Sequence, residues 1–116
     1  MSFKNFSPLT NLENLTNTLN TYGVAVLPNV FTDDECEFVK KSTFDYLATN
    51  YGVNGPNDYE KVHPIGGGIL HNYGIALIKE ILDMKTDERV ENIFKTIWNN
   101  QEVTMSLDGM RINFLN

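Results

Sequence analysis

A single cysteine, Cys36, stands in 116 residues. That excludes an intramolecular disulfide and any zinc site built from several thiolates. Cys36 lies early in an acidic stretch, where neighbouring negative charge disfavours a thiolate, so a small, reduced core residue is predicted there. Basic residues are few as well: nine Lys and Arg against fifteen Asp and Glu give a net charge of -6, and no basic run stands out. The positive surface that a phosphate backbone needs is missing, and no nucleic-acid partner is expected. Long apolar runs are absent too. Nothing approaches the roughly 18 to 20 residues of a membrane-spanning helix, and the opening MSFKNFSPLTN lacks the apolar segment of an export signal. These absences predict a cytoplasmic chain with no membrane partner, in which the sequons at Asn5 and Asn14 are chance matches.

What is present suits a folded chain. Hydrophobic residues make up 41% and aromatic residues 11%, enough for one small core in a chain of this length but not for two.

Leucines at 9, 12, 15 and 19, followed by Tyr22, recur at helical spacing, with Ser7 as a cap and Pro8 at a first helical position. Gly23 is placed to end that helix. The run VAVLP at 24–28 is short, rich in valine and closed by proline, and predicts a buried strand. Thr32 and Glu35 have the spacing of a capping box, and Asp33 and Asp34 face the positive end of the helix that follows. Its apolar face is Cys36, Val39, Thr43, Tyr46 and Leu47, up to Gly52. Residues 52–68 are punctuated by Gly, Pro and Asn and predict a long loop. Ile75, Ile78, Ile81 and Leu82 mark a further helix. Val90, Ile93, Phe94, Ile97 and Trp98 mark another, capped by Thr86 or Asp87, and both are core-facing by pattern. At the end, 103–107 and 110–115 read as strands on either side of Asp108-Gly109, a pair that favours a turn or bulge.

Both histidines and three consecutive glycines fall in HPIGGGILHNYG, residues 63–74. A Walker loop requires Gly-Lys-Ser/Thr at its end, and Ile69, Leu70 and His71 follow Gly68 instead. A dinucleotide fingerprint requires a glycine where His71 stands. For a metal, His63 and His71 flank the segment, and Asp58 or Glu60 offers an oxygen. Every ligand would then sit on a loop, without the preorganisation that tight sites need. A two-histidine, one-carboxylate iron site often begins with His-x-Asp on a strand, and the residues two beyond the histidines are Ile65 and Tyr73. Loop histidines met by backbone or solvent are the simpler expectation.

Three stretches carry a family resemblance. YGVAVLPNVFTDDECEFVKK resembles the opening strand and helix of the phytanoyl-CoA dioxygenase-like group of Fe(II)/2-oxoglutarate oxygenases. HNYGIALIKEILDMKTDERVENIFKTIW resembles the segment in which a Tyr-Gly-Ile element leads into two helices ending in Ile-Trp. VTMSLDGMRINF resembles the strand that follows, with Leu107 where phenylalanine is usual. Together they run from Thr21 to Phe114, and what is specific in them is their order and spacing.

The resemblance implies an α+β chain: a helical layer plus a few strands belonging to a double-stranded β-helix of the jelly-roll or cupin-like kind, incomplete in these residues. Residues 1–116 are then a single domain or the N-terminal portion of an oxygenase domain. The family's His-x-Asp pair, its distal histidine and its 2-oxoglutarate-binding arginine come after the Asp-Gly strand. No iron ligand and no catalytic residue is therefore assigned here, and Fe(II) and 2-oxoglutarate are implied only for a complete member. The expected role is scaffold and pocket wall. The wall is formed by Met110, Ile112 and Phe114 on one side of the last strand, or by Arg111, Asn113 and Leu115 on the other. Arg111 and Asn113 are the candidate substrate-binding residues, Arg111 being the cation that could meet an anionic substrate or cosubstrate. The alternative is a non-catalytic binding or assembly module derived from that fold. Either a second copy or a C-terminal portion is expected to cover strands left unpaired.

Overall fold

The computed structural model of the chain describes residues 6–64, 68–99 and 102–113. Among them are four α-helices, α1 (Leu15–Tyr22), α2 (Asp33–Tyr51), α3 (Lys79–Lys85) and α4 (Glu88–Trp98). Two short strands, β1 (Ile69–Leu70) and β2 (Met110–Arg111), form an antiparallel pair. The chain is α+β. It divides into two compact units, one of Met1–Thr32 with Asp87–Thr104, the other of Asp33–Thr86 with Met105–Asn116.

In the first unit the expected helix at residues 9–22 is shorter than its leucine spacing suggests. Leu9 lies in extended backbone bridged in parallel to Val26: Thr10 N–H donates to the Val26 carbonyl at 2.9 Å, and Val26 N–H donates to the Pro8 carbonyl at 2.8 Å. Pro8 biases Ser7 toward extended backbone, and Asn11 competes for the helix start by accepting the Asn14 N–H at 2.9 Å. The helix therefore begins at Leu15. It ends as expected at Gly23, left-handed at φ 74°, whose N–H donates to the Leu19 carbonyl. The run at 24–28 is not a buried strand: Val24 and Val26 are 42% and 45% exposed, and Leu9–Val26 is one isolated bridge. A strand is buried only when neighbours cover its faces, and Pro8–Thr10 supplies one edge.

Helix α4 belongs to the same unit. Asp87 Oδ1 accepts the Arg89 N–H at 2.9 Å, which makes Asp87 the cap. The Arg89 side chain returns to both Asp87 oxygens, at 2.9 and 3.0 Å. It also donates to the Val30 carbonyl at 3.2 Å and stacks its guanidinium 4.5 Å from the centre of the Phe31 ring. The expected core-facing stripe is covered only in part. No α4 residue is buried; Phe94 is 48% and Trp98 70% exposed.

The Arg89 side chain, followed by its backbone N–H, holds the Asp87 carboxyl well below the usual 3.8, at about 2. A carboxyl depressed on folding contributes stability that is present above its unfolded value and lost as pH falls through its folded value. Helicity from α4 is therefore expected to weaken between about pH 4 and about pH 2. Circular dichroism of the native chain and of Asp87→Asn checks this. The variant should lose its acid-dependent step in that window, and an identical step in both proteins would refute the assignment.

The second unit holds the core: Leu47, Val53, Tyr59, Val62, Leu70, Ile75, Ile78 and Ile81. Helix α2 carries Asp33, Asp34 and Glu35 in its first turn and stops before Gly52, which is left-handed at φ 68°. Thr43 and Leu47 on its expected face are buried, with Val39 and Tyr46 packed beside the core. Cys36 corrects the expectation: it is exposed. Its angular position on the helix is right, but at about 1.5 Å per residue the helix outruns the core, which covers only its C-terminal half.

Part of the expected loop at 52–68 is helical instead. Pro56–Val62 forms a 3₁₀-helix that buries Tyr59 and Val62. A 3₁₀-turn, Ile75–Leu77, then leads into α3, and Ile75, Ile78 and Ile81 are buried at three-residue spacing. Among the described residues, the runs at 103–107 and 110–113 do not pair with each other. Met110 and Arg111 pair instead with Leu70 and Ile69, and 103–107 has no regular structure.

Candidate functional site

The histidine-glycine stretch and β2 meet in the second unit, and that is where the sequence placed its candidate chemistry. Ile65, Gly66 and Gly67 lie outside the described residues, as do Phe114 and Leu115. What remains is pinned at both ends by tyrosine hydroxyls. The Tyr59 hydroxyl donates to the Gly68 carbonyl at 2.5 Å. The Tyr46 and Tyr51 hydroxyls converge on the Tyr73 carbonyl at 2.6 and 3.2 Å, and the Tyr51 and Tyr73 rings meet edge to face at 4.9 Å.

Between the pins the backbone takes a form few residues adopt. Tyr73 and Gly74 are both left-handed, at φ 68° and 70°. A Cβ on Gly74 would stand 2.5 Å from the Tyr46 hydroxyl oxygen, so glycine is required there for both conformation and space. Burial, together with the Tyr51 hydroxyl beside it, pushes the Tyr46 phenol above its usual range, and burial does the same for Tyr59. Both stay protonated and act as donors at neutral pH.

Among the described residues neither histidine enters a ligand set. His63 is exposed and left-handed at φ 45°, its N–H capping the 3₁₀-helix on the Glu60 carbonyl. His71 is exposed with its Nδ1 against Gly109, 3.1 Å from where a Cβ would stand. Asp58 is otherwise engaged: its carboxylate pairs with Lys61 at 2.9 Å and accepts the Asn54 N–H at 3.1 Å, and these contacts, Lys61 first, hold its carboxyl below the usual range. Among the described residues no group of three His, Cys, Asp or Glu is placed to hold a metal ion.

Residues 110–113 sort the two faces expected of the last strand. Met110 and Ile112 pack on the core, while Arg111 and Asn113 are exposed and joined, Arg111 Nε–H donating to Asn113 Oδ1 at 3.1 Å. A guanidinium steadied by an amide suits a carboxylate or phosphate. Gly109 sets the register: a Cβ there would clash with the Leu70 carbonyl oxygen and lie 3.0 Å from its carbon. The tyrosine clamp escaped the sequence reading, which used Tyr46 only as an apolar residue. Gly74 alone signalled a left-handed turn, and the hydroxyls that close on it left no local signal.

No family model, curated protein or solved structure matches the chain.

Proposed function

We propose that these residues are the N-terminal scaffold and pocket wall of a phytanoyl-CoA dioxygenase-like Fe(II)/2-oxoglutarate oxygenase, whose complete form hydroxylates a small molecule on a double-stranded β-helix. The observation that carries this is the order of three stretches: strand run and acidic helix, Tyr-Gly-Ile with two helices, Asp-Gly strand. Two features of the fold support it. The run at 24–28 has strand composition yet stays half exposed, as a strand of a larger sheet would. The segment 110–113, which begins with β2, packs Met110 and Ile112 inward and presents Arg111 and Asn113 outward, an arrangement that suits a pocket wall.

In this role the chain shapes and orients. Arg111, fixed by Asn113, would receive an anionic group of substrate or cosubstrate. The tyrosine clamp holds the turn at Tyr73-Gly74 in place. Iron and its chemistry belong to residues that follow the Asp-Gly strand in a complete member. Reading the coding frame downstream of Asn116 is the test. A His-x-Asp pair within a few tens of residues is expected, and an open frame without one would defeat the proposal.

A non-catalytic assembly module built on the same fold is the second reading, favoured by the exposure of Phe94 and Trp98 on α4. Concentration-dependent association that Trp98→Ala abolishes would favour it.

A further inference from the structure

Asn54-Gly55 is the only asparagine-glycine pair in the chain. Such a pair is chemically labile, because the glycine nitrogen can attack the amide carbon of the preceding side chain with no Cβ to crowd its approach. A new carbon–nitrogen bond closes a five-membered succinimide, and the side-chain nitrogen leaves as ammonia. Water then opens either ring carbonyl, giving aspartate or isoaspartate. The sequence of steps consumes only water.

The fold leaves this pair available. Asn54 is exposed, in irregular backbone between α2 and the 3₁₀-helix Pro56–Val62. Gly55 is extended, at φ 177° and ψ -177°, and a Cβ built on it meets nothing within 4 Å. Its carbonyl accepts the Asp58 N–H at 3.0 Å, while its own N–H, the attacking group, enters no hydrogen bond among the described residues. The Asn54 side chain is tethered by one exposed bond, Nδ2–H to the Gly52 carbonyl at 3.2 Å, which holds its rotamer only weakly. Asp108-Gly109, the other pair able to form a succinimide this way, is held instead. The Ser106 hydroxyl donates to the Asp108 carboxylate, and Gly109 lies against the Leu70 carbonyl.

The reaction falls on a structural joint. The Asn54 backbone N–H donates to Asp58 Oδ2 at 3.1 Å, and Asp58 pairs with Lys61 at 2.9 Å. Residue 54 thereby staples the start of the 3₁₀-helix that buries Tyr59 and Val62. Isoaspartate carries the main chain through the former side chain, one carbon longer, which moves Gly55 out of register with Asp58. Aspartate sets a second carboxylate near that of Asp58 and removes the amide donor from the Gly52 carbonyl. We infer that Asn54 is a self-modification site, at which spontaneous succinimide chemistry loosens this 3₁₀-helix as the chain ages.

Peptide mapping by mass spectrometry tests this on the full chain held at mildly alkaline pH, beside the same chain unfolded in guanidinium chloride and beside Gly55→Ala. Aspartate and isoaspartate are expected at residue 54 before any other asparagine changes. The folded rate should lie within about fivefold of the unfolded one, as for a surface segment whose local opening costs little. Gly55→Ala, which the extended backbone and open space admit, should keep the native circular dichroism. It should slow the change on the order of tenfold, because a methyl group then crowds the attacking nitrogen and raises the barrier. In the separated modified fraction, amide hydrogen exchange should quicken across Tyr59–Val62. The inference is overturned if residue 54 stays intact in the folded chain while the unfolded one converts, or if Gly55→Ala converts as fast as the native chain. Identical exchange across Tyr59–Val62 in modified and unmodified chains overturns it as well.

Discussion

Gly109→Ala is expected to destabilise the second unit by about 2 to 4 kcal/mol, the combined cost of overpacking and of a disturbed backbone hydrogen-bond ladder. The added Cβ would run into the Leu70 carbonyl, backbone that cannot rotate aside. Relief requires β2 to move away from β1, which disrupts the Leu70–Met110 pairing and draws Met110 off the core. Against a total stability of about 5 to 15 kcal/mol for a domain, that loss is large. Urea unfolding measures it as a drop in midpoint. An unchanged midpoint would mean that residues 108–110 do not pass beside Leu70 at all.

Leu47→Ala is expected to cost about 2 to 5 kcal/mol, the range for emptying a fully buried leucine position. Leu47 is 0% exposed and belongs to the face of α2 that packs in the core cluster, so a cavity there has little room to collapse. Cys36→Ala, three turns earlier on the same helical face but exposed, should change stability by less than about 0.5 kcal/mol. The contrast between the two variants locates where the core ends along α2. Equal losses would extend the core to the N-terminal half of the helix.

Local chemistry was legible in the sequence, and distant partners were not. Gly23 and Gly52 end their helices where their positions implied, because a left-handed C-terminal residue is a property of a few neighbouring residues. Asp87 caps α4 for the same reason. The pairing of β2 with Ile69 and Leu70 was hidden. Alternation marks a strand, but nothing in 110–115 indicates a partner some forty residues earlier in preference to the adjacent run at 103–107. Cys36 fell on the correct face of α2, but periodicity gives direction and not the extent of the core. The tyrosine clamp could not be read at all: three hydroxyls reaching the carbonyls of Gly68 and Tyr73 are a product of tertiary packing. Of the candidate site, Arg111 and Asn113 were placed together by strand alternation, and they are joined in the structure.

The proposed role rests on these residues framing an iron site without holding one, and anaerobic calorimetry of the chain with Fe(II) addresses that most directly. His63 and His71 are exposed, Asp58 is committed to Lys61 and Asn54, and no third ligand is grouped with them among the described residues. Weak, non-saturating heats are expected, unchanged in His63→Ala and His71→Ala. A stoichiometric site of micromolar or tighter affinity, lost when either histidine is replaced, would contradict it.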